Sequence, residues 1–354
     1  MALSHSETQA SLAAKLADLA EQLPEIKHGK WIERSLRSLM RIAGEEIDRL
    51  DWKILTAALE DLEQGFQLFY PYRHIRKITI FGSARIGSDT SEYQMAVAFA
   101  RRVTELGFMV LTGAGGGIMQ AGNEGAGRAH SFGLNIQLPF EQSANPFIQG
   151  DDKLVGFKYF FTRKLFFLRE SDAIALFPGG FGTQDEAFET LTLCQTGRYG
   201  PAPLVLIDQP GGDYWQAWNE YICNHLIRRG LASADDHHLY TVTDSLEEAC
   251  AAIANFYQVY HSSRYVEELL VMRLNVELSD QQVALLNQEF RDIVAKGEIR
   301  KSGALPAEMG DETETLPRLV FWFNQRDFGR LYQLIGRINQ LGSAAPESQH
   351  PERK

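Results

Sequence analysis

Apolar residues recur at three- and four-residue steps through the first seventy positions of the chain. The first set is Leu12, Leu16, Leu19 and Leu23, and a second set extends across 31–50 with charged residues between its members. This spacing places apolar side chains on one face of a helix. A proline at position 71 ends the pattern. We therefore predict an N-terminal helical segment over residues 1–72.

Between about 76 and 260 the pattern changes to short apolar runs that alternate with segments of helical periodicity. The predicted strands are Lys77–Phe81, Met109–Thr112, 131–138, 173–177 and Leu204–Ile207. The predicted helices are 91–106, 118–129, 157–170, 184–196 and 214–228. Strands that alternate with helices are typical of βαβ units, which build a mostly parallel sheet with helices on both faces. The fold class is therefore α/β and Rossmann-like over 73–262, and ligands bind beyond the carboxyl ends of such strands.

The region after residue 262 has a different order of elements. A strand-like run at 269–276 precedes a helix at 279–294, two strands at 299–301 and Arg318–Phe323, and a helix at 327–340. This order predicts a small C-terminal α+β module over 263–342, with a regulatory or an oligomerisation role left open. The polar, proline-containing tail at 343–354 is expected to be disordered.

The amino-acid composition limits the classes of function that this chain can have. The formal net charge is −11 and the pI is about 5.4, which argues against a general nucleic-acid binder but not against a small anionic ligand. Cys194, Cys223 and Cys250 form no CxxC pair, so neither a disulfide framework nor a zinc site is expected. The first residues lack the layout of a signal peptide, and no apolar run reaches the roughly 18–20 residues that span a bilayer. We expect a cytoplasmic protein.

Two glycine-containing loops follow the first two predicted strands. The first is FGSAR at 81–85, where Gly82 and Ser83 allow close backbone approach to a ligand and supply a hydroxyl. An ordinary turn explains this loop equally well. The second is TGAGGG at 112–117, which opens a helix. Amide groups at a helix N-terminus favour an anion, so we predict contact with a phosphate or nucleotide. The alternative is a flexible connector.

A third loop, PGGFGTQDE at 178–186, follows the apolar run at 173–177. Its glycines and Thr183 stand at the predicted start of a helix and form a second anion cradle. Glu186 stands in the first turn of that helix. A phosphate would repel this carboxylate unless Glu186 faces another part of the ligand, such as a sugar. Compensation of the helix dipole is the alternative explanation for Glu186.

These motifs together resemble the LOG-type phosphoribohydrolases, a family formerly mislabelled as lysine decarboxylases. The hallmark is Pro-Gly-Gly-x-Gly-Thr-x-x-Glu at 178–186, and the likeness covers roughly residues 76–230. It also includes the loops at 81–85 and 112–119, LNIQLP at 134–139, EQ at 141–142, NP at 145–146 and FTRK at 161–164.

The resemblance implies a Rossmann-like core, at least a dimer, that cleaves nucleoside 5′-monophosphates into free base and ribose 5-phosphate without metal or organic cofactor. Its catalytic pair falls on Arg163 and Glu186. The residues predicted to bind substrate and phosphate are Gly82, Ser83, Gly115, Gly116, Gly117, Gly180, Gly182 and Thr183. A non-catalytic nucleotide or molybdenum-cofactor carrier on the same fold is the alternative, and a pure carrier need not keep the pair.

The chain departs from the family pattern in the second loop. Ala114 adds a methyl group where the backbone favours a positive φ, Gly116 replaces a proline, and Gln120 replaces a carboxylate. We expect these changes to affect substrate preference rather than phosphate binding.

Breaking an N-glycosidic bond develops positive charge at C1′, which a carboxylate stabilises while it orients the attacking water. We assign both roles to Glu186. An acid for the leaving base is expected by analogy with glycoside hydrolysis, and Asp185 or a water are the candidates. Arg163 grips the phosphate or orients Glu186.

Several other residues have simpler explanations. His237 and His238 lie beside two aspartates, yet adjacent side chains point apart, so a solvated loop is favoured over a metal site. Trp215 and Trp218 have the spacing of core residues on a helix. The aromatics at 157–161 either stack on a base or pack against protein.

Overall fold

A computed structural model describes residues 11, 15, 27–138 and 143–343. It divides into two units, Met1–Glu60 and Asp61–Lys354. The leucines predicted to form a helix at 12–23 lie outside the described residues, as do 139–142 and the tail from 344. In the first unit, α1 is Gly29–Ala43 and α2 begins at Arg49; α2 ends at Phe69, inside the second unit.

The second unit contains a parallel sheet of seven strands in the order β4-β3-β2-β1-β5-β6-β7. The strands are β1 Lys77–Phe81, β2 Met109–Thr112, β3 Ser131–Ile136, β4 Leu154–Phe157, β5 Ala173–Leu176, β6 Leu204–Ile207 and β7 Thr241–Thr243. The helices between them are α3 Ser91–Glu105, α4 Ile118–Ala126, α5 Phe160–Arg169, α6 Phe181–Gln195, α7 Tyr214–Tyr221 and α8 Leu246–Phe256. The predicted α/β class is confirmed.

Helices cover both faces of this sheet. On one face α3, α4 and α8 pack on side chains such as Ile78 and Val110. On the other face α5, α6, α7 and residues 61–69 of α2 pack on side chains such as Leu111 and Ile174. Central strands that are buried on both faces have to be apolar at nearly every position. Their short apolar runs could therefore be predicted as strands from the sequence.

The strand order positions the site. The chain builds the sheet outward from β1 to β4 and then returns to the other side of β1 with β5, so the order reverses between β1 and β5. Both strands pair in parallel, Ile78 beside Ala173 and Phe81 beside Leu176. Loops diverge at such a reversal and leave a crevice at the carboxyl ends of the strands. The loops at 82–85 and 178–180 therefore flank one crevice.

A second, antiparallel sheet of four strands has the order β10-β11-β9-β8. Its strands are β8 Tyr260–Val266, β9 Leu269–Leu274, β10 Val294–Ser302 and β11 Arg318–Phe323, and its helices are α9 Asp280–Glu289 and α10 Phe328–Ser343. Apolar side chains of both helices and of β9 and β11 share one core. The expected small α+β module is confirmed as a class of structure.

Several element boundaries differ from the predictions. The strands β4, β7 and β8 were not predicted, and Phe157, which ends β4, was predicted to start a helix. Residues 214–228 divide into α7 and a π-helical turn at Ile222–Ile227. Ser343, predicted to start the disordered tail, ends α10. The domain boundaries after residues 72 and 262 stay predictions.

Among the described residues no helix has both the length and the apolar character needed to cross a membrane.

Candidate active site

A cleft of about 820 Å³ opens at the carboxyl ends of β1, β2, β3 and β5. Its walls are the loop after β1, the last residues of β3 with Leu138, the start of α5 and the glycine-rich start of α6. The predicted site residues that line it are Gly82, Ser83, Arg163, Gly180, Gly182, Thr183 and Glu186. Residues that are up to about a hundred positions apart in sequence thus meet in one cleft.

The other predicted phosphate residues, Gly115, Gly116 and Gly117, do not line the cleft, and Gly116 and Gly117 lie against the β1 loop. Gly117 precedes α4 with φ of 61°, and a Cβ there would stand 2.2 Å from the carbonyl oxygen of Ser83. The amide of Ile118 donates to that same oxygen at 3.0 Å. This glycine is therefore needed for close packing of two loops, and phosphate contact by the three glycines stays a prediction.

The departures in this loop have structural consequences. Ala114 has φ of 60°, the positive value that the family's glycine at this position suggested, and its methyl group is fully buried. A non-glycine residue is uncommon in this region of backbone space. Gln120 points to α3, where its amide donates to the hydroxyl of Tyr93 at 3.1 Å; that hydroxyl donates to Glu124 at 2.6 Å.

The start of α6 is open to the cleft. A Cβ built on Gly180 or Gly182 would meet no atom within 4 Å, whereas one on Gly179 would stand 2.1 Å from the hydroxyl oxygen of Thr183. Gly180 is the N-cap residue, so the amides of the following first turn have no partner within the helix. Unpaired amides and the helix dipole together favour an anion at this position.

Arg163 belongs to the first turns of α5. Its Nε donates to the carbonyl oxygen of Leu134 at 2.7 Å, and a terminal nitrogen donates to the carbonyl oxygen of Gly113 at 3.4 Å. Its guanidinium carbon stands 5.1 Å from the ring centre of Phe167. Burial lowers the pKa of Arg163 to about 10 while the charge of Glu186 opposes that shift, so the side chain stays cationic at neutral pH. A Cβ on Gly113 would stand 2.3 Å from Arg163, so this guanidinium requires glycine there.

Glu186 is only 9% exposed, and its Oε2 is buried without a hydrogen-bond partner. Burial raises the pKa of Glu186 to about 7, with the charges of Lys164 and Arg163 lowering it and that of Glu189 raising it. Because α6 begins at Phe181, Glu186 lies in the second turn instead of the predicted first turn. The dipole effect falls off within the first turn, so it does not explain this carboxylate.

The positive charge of Lys164 lowers the pKa of Glu186. The Lys164 ammonium forms ion pairs with two other carboxylates, one before and one after Glu186 in the sequence. Its Nζ lies 2.8 Å from Asp185 and 2.5 Å from Glu189. Burial would lower the pKa of Lys164, but these two bonds raise it above its ordinary value. Asp185 is thus engaged in an ion pair, which makes it a poor source of a proton for a leaving base.

Sequence reasoning missed a hydrogen-bonded chain beside this loop. The hydroxyl of Tyr214 donates to the carbonyl oxygen of Gly179 at 2.5 Å and accepts from the amide of Gln184 at 2.6 Å. Arg85, an exposed cation at the cleft, was also missed, although its place in the FGSAR loop was a usable signal. Nothing in the local sequence pointed to Tyr214, which follows a different strand.

The aromatic residues at 157–161 have divided roles. Phe157 is fully buried, while Phe160 is 55% exposed and lines the cleft. Phe161 is 58% exposed, and its ring stacks on that of Tyr159 at 5.5 Å between centroids. Protein packing thus explains Phe157, and a base can reach Phe160.

The remaining candidates from the sequence lie outside the cleft. Trp215 is fully buried, and its ring meets that of Trp218 edge to face. His237 and His238 lie in the short helix Ala234–Leu239, where a capping box with Ser233 uses Asp236. The described part of the chain holds no group of His, Cys, Asp and Glu residues arranged to bind a metal ion.

Comparison with known proteins identifies related sequences. Residues 117–253 match the family model described as "Possible lysine decarboxylase". A rice protein, "Probable cytokinin riboside 5′-monophosphate phosphoribohydrolase LOGL5" from Oryza sativa subsp. japonica, is 29% identical over 141 residues. That match covers 38% of this chain and 55% of the rice protein, so the chain spans about half the length of this relative.

Solved structures to which the chain is similar have lower identities. The molybdenum cofactor carrier protein of Chlamydomonas reinhardtii is 18% identical, with 51% of this chain and 96% of the carrier covered at a TM-score of 0.36. DNA processing protein A of Helicobacter pylori is 16% identical, with 49% and 78% covered at a TM-score of 0.34. The family match includes Arg163, the PGGFGTQDE loop and Glu186. Residues 117–253 are therefore similar to the family described as possible lysine decarboxylase, and the LOG-type resemblance predicted from the motifs is confirmed.

Proposed function

We propose that this protein hydrolyses the N-glycosidic bond of nucleoside 5′-monophosphates to give free base and ribose 5-phosphate. The observation that carries the proposal is Glu186, a buried carboxylate with an unpartnered oxygen in a cleft that also holds the cationic Arg163. A buried polar atom without a partner is costly unless a ligand uses it. The rice relative's name, a phosphoribohydrolase of riboside 5′-monophosphates, supports the same reaction.

The 5′-phosphate binds at the start of α6 in this proposal. Gly180 and Gly182 leave open space there, and the amides of the first turn face an anion. Glu186 lies deeper along the same helix, roughly 7.5 Å from Phe181 by the helical rise. One substrate thus places its phosphate on the amides and its ribose beside the carboxylate, which avoids direct repulsion. Binding energy from the phosphate then holds the ribose in place for reaction.

Glu186 supplies the chemistry at the ribose. In its ionised form the carboxylate stabilises the positive charge that develops at C1′ and orients a water for attack there. A group with a pKa of about 7 is present in both protonation states at neutral pH. Because the reaction at C1′ needs the ionised form, Glu186 takes up the proton that the attacking water loses, and we assign the proton for the leaving base to another water in preference to the ion-paired Asp185.

Arg163 orients the ribose phosphate or the carboxylate from the opposite wall. Two backbone carbonyls hold its guanidinium in place, so its remaining N–H groups are directed by the fold and not by the ligand. Preorganised charge of this kind needs no rearrangement during the reaction. Arg85, exposed at the cleft, provides a second cation for the phosphate.

The base contacts the apolar wall of the cleft. This wall includes Met119, Ile136, Leu138 and the exposed ring of Phe160. An aromatic ring stacks on any flat base, so this wall accepts purines and cytokinin-like bases without hydrogen-bond readout.

We also propose that the protein is at least a dimer. Phe161, Leu165 and Phe188 of α5 and α6 are 58%, 45% and 39% exposed, and Phe181 is 96% exposed. Large apolar side chains grouped on adjacent helices are typical of interaction surfaces. Light scattering of the purified protein tests this proposal, and a monomer at micromolar concentration would contradict it.

Chromatography of reaction products tests the function. The purified protein is incubated with AMP, GMP, CMP, UMP, dAMP and a cytokinin riboside monophosphate, beside the variants Glu186→Gln and Arg163→Lys. We expect free base and ribose 5-phosphate from the wild type only, and no product from nucleosides that lack the phosphate. Tight nucleotide binding without release of any base would instead support a non-catalytic nucleotide or molybdenum-cofactor carrier.

A further inference from the structure

Asp61 is a buried carboxylate far from the cleft motifs in sequence, and it contacts the helix that carries Arg163. Its side chain is 4% exposed. The carboxylate accepts from the amide of Lys158 at 2.9 and 3.0 Å, from the amide of Tyr159 at 3.2 Å, and from the hydroxyl of Thr162 at 2.5 Å. Thr162 directly precedes Arg163 in the chain.

These bonds replace a cap that α5 lacks. The N-cap residue of α5 is Tyr159, whose side chain makes no capping bond, and the first turn of the helix contains no acidic residue. The first amides of a helix need acceptors, and a negative charge near them is favourable. Asp61, on another helix about a hundred residues earlier in the chain, provides the negative charge and accepts from the amides of Lys158 and of the N-cap residue Tyr159. The start of α5 is therefore held in part by α2.

The two helices are also in close contact beside these bonds. A Cβ built on Gly65 would stand 2.2 Å from Cζ of Phe166, so only glycine permits this approach. The rings of Phe66 and Phe166 meet edge to face with centroids 5.4 Å apart. Residues 61–69 of α2 thus hold α5 at both its first and its second turn.

The position of α5 decides where the guanidinium of Arg163 lies. Arg163 donates its backbone amide to the carbonyl oxygen of Tyr159 at 3.2 Å, so its own backbone belongs to the turn that Asp61 caps. Its side chain reaches across to Leu134 on β3 at 2.7 Å. A small shift of the first turn would change that reach, and a misplacement of about 1 Å can cost about a hundredfold in rate.

We propose that Asp61 is a positioning residue that sets the place of Arg163 in the cleft. The proposal rests on the proposed hydrolase function for its kinetic readout. It assigns a role in the reaction to a side chain that contacts no substrate. It also explains why a carboxylate is buried at this point of α2.

A double-mutant cycle tests the proposal in the full-length protein. Asp61→Ala is expected to lower kcat/KM by about ten- to a hundredfold, and Asp61→Asn, which keeps one acceptor oxygen, by less. If Asp61 acts through Arg163, adding Asp61→Ala to Arg163→Lys lowers kcat/KM by much less than it does in the wild type. Equal losses in both backgrounds would overturn the proposal, since a merely structural role is additive. Glu63→Gln, an exposed charge on the same helix, is the matched control and should change nothing.

Hydrogen exchange keeps the test independent of the proposed reaction. In Asp61→Ala the amides of Lys158 and Tyr159 are expected to exchange faster, and the affinity for ribose 5-phosphate to fall, in a protein that melts as one cooperative unit. If the wild type releases no base, the proposed function is wrong. The hydrogen-exchange rates and the affinity for ribose 5-phosphate still test the role of Asp61 in that case. Unchanged exchange at the start of α5 would overturn the positioning role whatever the wild type does.

Discussion

Glu186 in the cleft and Glu308 beside the second sheet are both buried glutamates, but they differ in their hydrogen-bond partners. Glu308 is fully buried in the turn Pro306–Glu308, and Arg273 donates to its Oε1 at 2.6 and 3.0 Å while Arg318 donates to its Oε2 at 3.0 Å. Glu186 has an unpartnered oxygen. Burial alone would raise both pKa values, but the bonds and charges of its arginines hold the pKa of Glu308 below its ordinary range.

The difference separates a structural carboxylate from a reactive one. Glu308 joins β9 and β11 to the turn that lies between β10 and β11, and both of its oxygens have partners, so its charge is used within the fold. Glu186 is desolvated, and one of its carboxylate oxygens has no hydrogen-bond partner. This arrangement lowers the stability of the fold and leaves the carboxylate available to a ligand. Perturbed carboxylates in clefts are typical of functional sites, and the comparison shows that lack of partners, more than burial, marks Glu186.

The largest effect is expected from Glu186→Gln. Removing the ionisable group while keeping its shape should lower kcat for nucleotide hydrolysis by about 10²- to 10⁴-fold. Affinity for ribose 5-phosphate should stay within a few-fold of wild type, because the phosphate binds at the start of α6. Single-turnover kinetics and calorimetry measure the two quantities. A variant that keeps its rate would remove Glu186 from the mechanism.

The matched substitution at Glu308 should have the opposite profile. Glu308→Gln leaves two buried arginines without their carboxylate, which we expect to lower the free energy of unfolding by about 3–5 kcal/mol. Hydrolysis by the folded variant should be unchanged, since Glu308 does not line the cleft. Urea unfolding at pH 7 checks the first expectation. A loss below about 1 kcal/mol would show that the ion pairs contribute little.

The two glutamates should also affect stability with opposite dependence on pH. The pKa of Glu186 is raised from 4.5 to about 7, so its protonated form favours folding and its cost grows as pH rises from about 4.5 to 7. Relative to wild type, Glu186→Gln should gain about 3 kcal/mol across that range. The pKa of Glu308 is lowered, so its contribution is present above about 4.5 and is lost as pH falls below that value. Unfolding free energies measured from pH 4 to 8 test both signs, and parallel curves for the two variants would contradict them.

The smallest effect is expected at Lys164. Its positive charge lowers the pKa of Glu186, so Lys164→Met should raise that pKa and move the acidic limb of the kcat/KM profile to higher pH. Activity at pH 6 should fall several-fold while activity at pH 9 recovers. Lys153, a partly buried lysine 2.6 Å from Asp151, offers a control for loss of an ion pair away from Glu186. A uniform loss at all pH values would indicate a different role for Lys164.

Much of the fold was predictable because its signals are local. The central strands β1, β2 and β6 were predicted at their observed bounds, since strands buried on both faces must be apolar throughout. Two of the missed strands, β7 and β8, lack that signal. β7 has three residues, and β8 reads YHSSRYV, with half-exposed or polar positions at the edge of its sheet.

The site was predictable in its parts but not in its electrostatics. The motif identified Arg163 and Glu186, and the carboxyl ends of the strands predicted that loops would meet. The missing partner of Glu186, the capping of α5 by Asp61 and the link through Tyr214 depend on contacts between elements distant in sequence. The start of α6 was placed too late because the glycine-rich segment was interpreted as loop, whereas Gly180 is the N-cap of the helix and Gly182 lies in its first turn.

A titration of the two carboxyl groups tests the central claim most directly. The protein is labelled with ¹³C at the glutamate carboxyls, and Glu186→Gln and Glu308→Gln identify the two resonances by their loss. We predict that Glu186 titrates near pH 7 and that ribose 5-phosphate shifts its resonance, while Glu308 titrates below 4.5 and does not respond. A Glu186 that titrates at or below 4.5 and ignores the ligand would contradict the claim that this buried, unpartnered carboxylate is the reactive group.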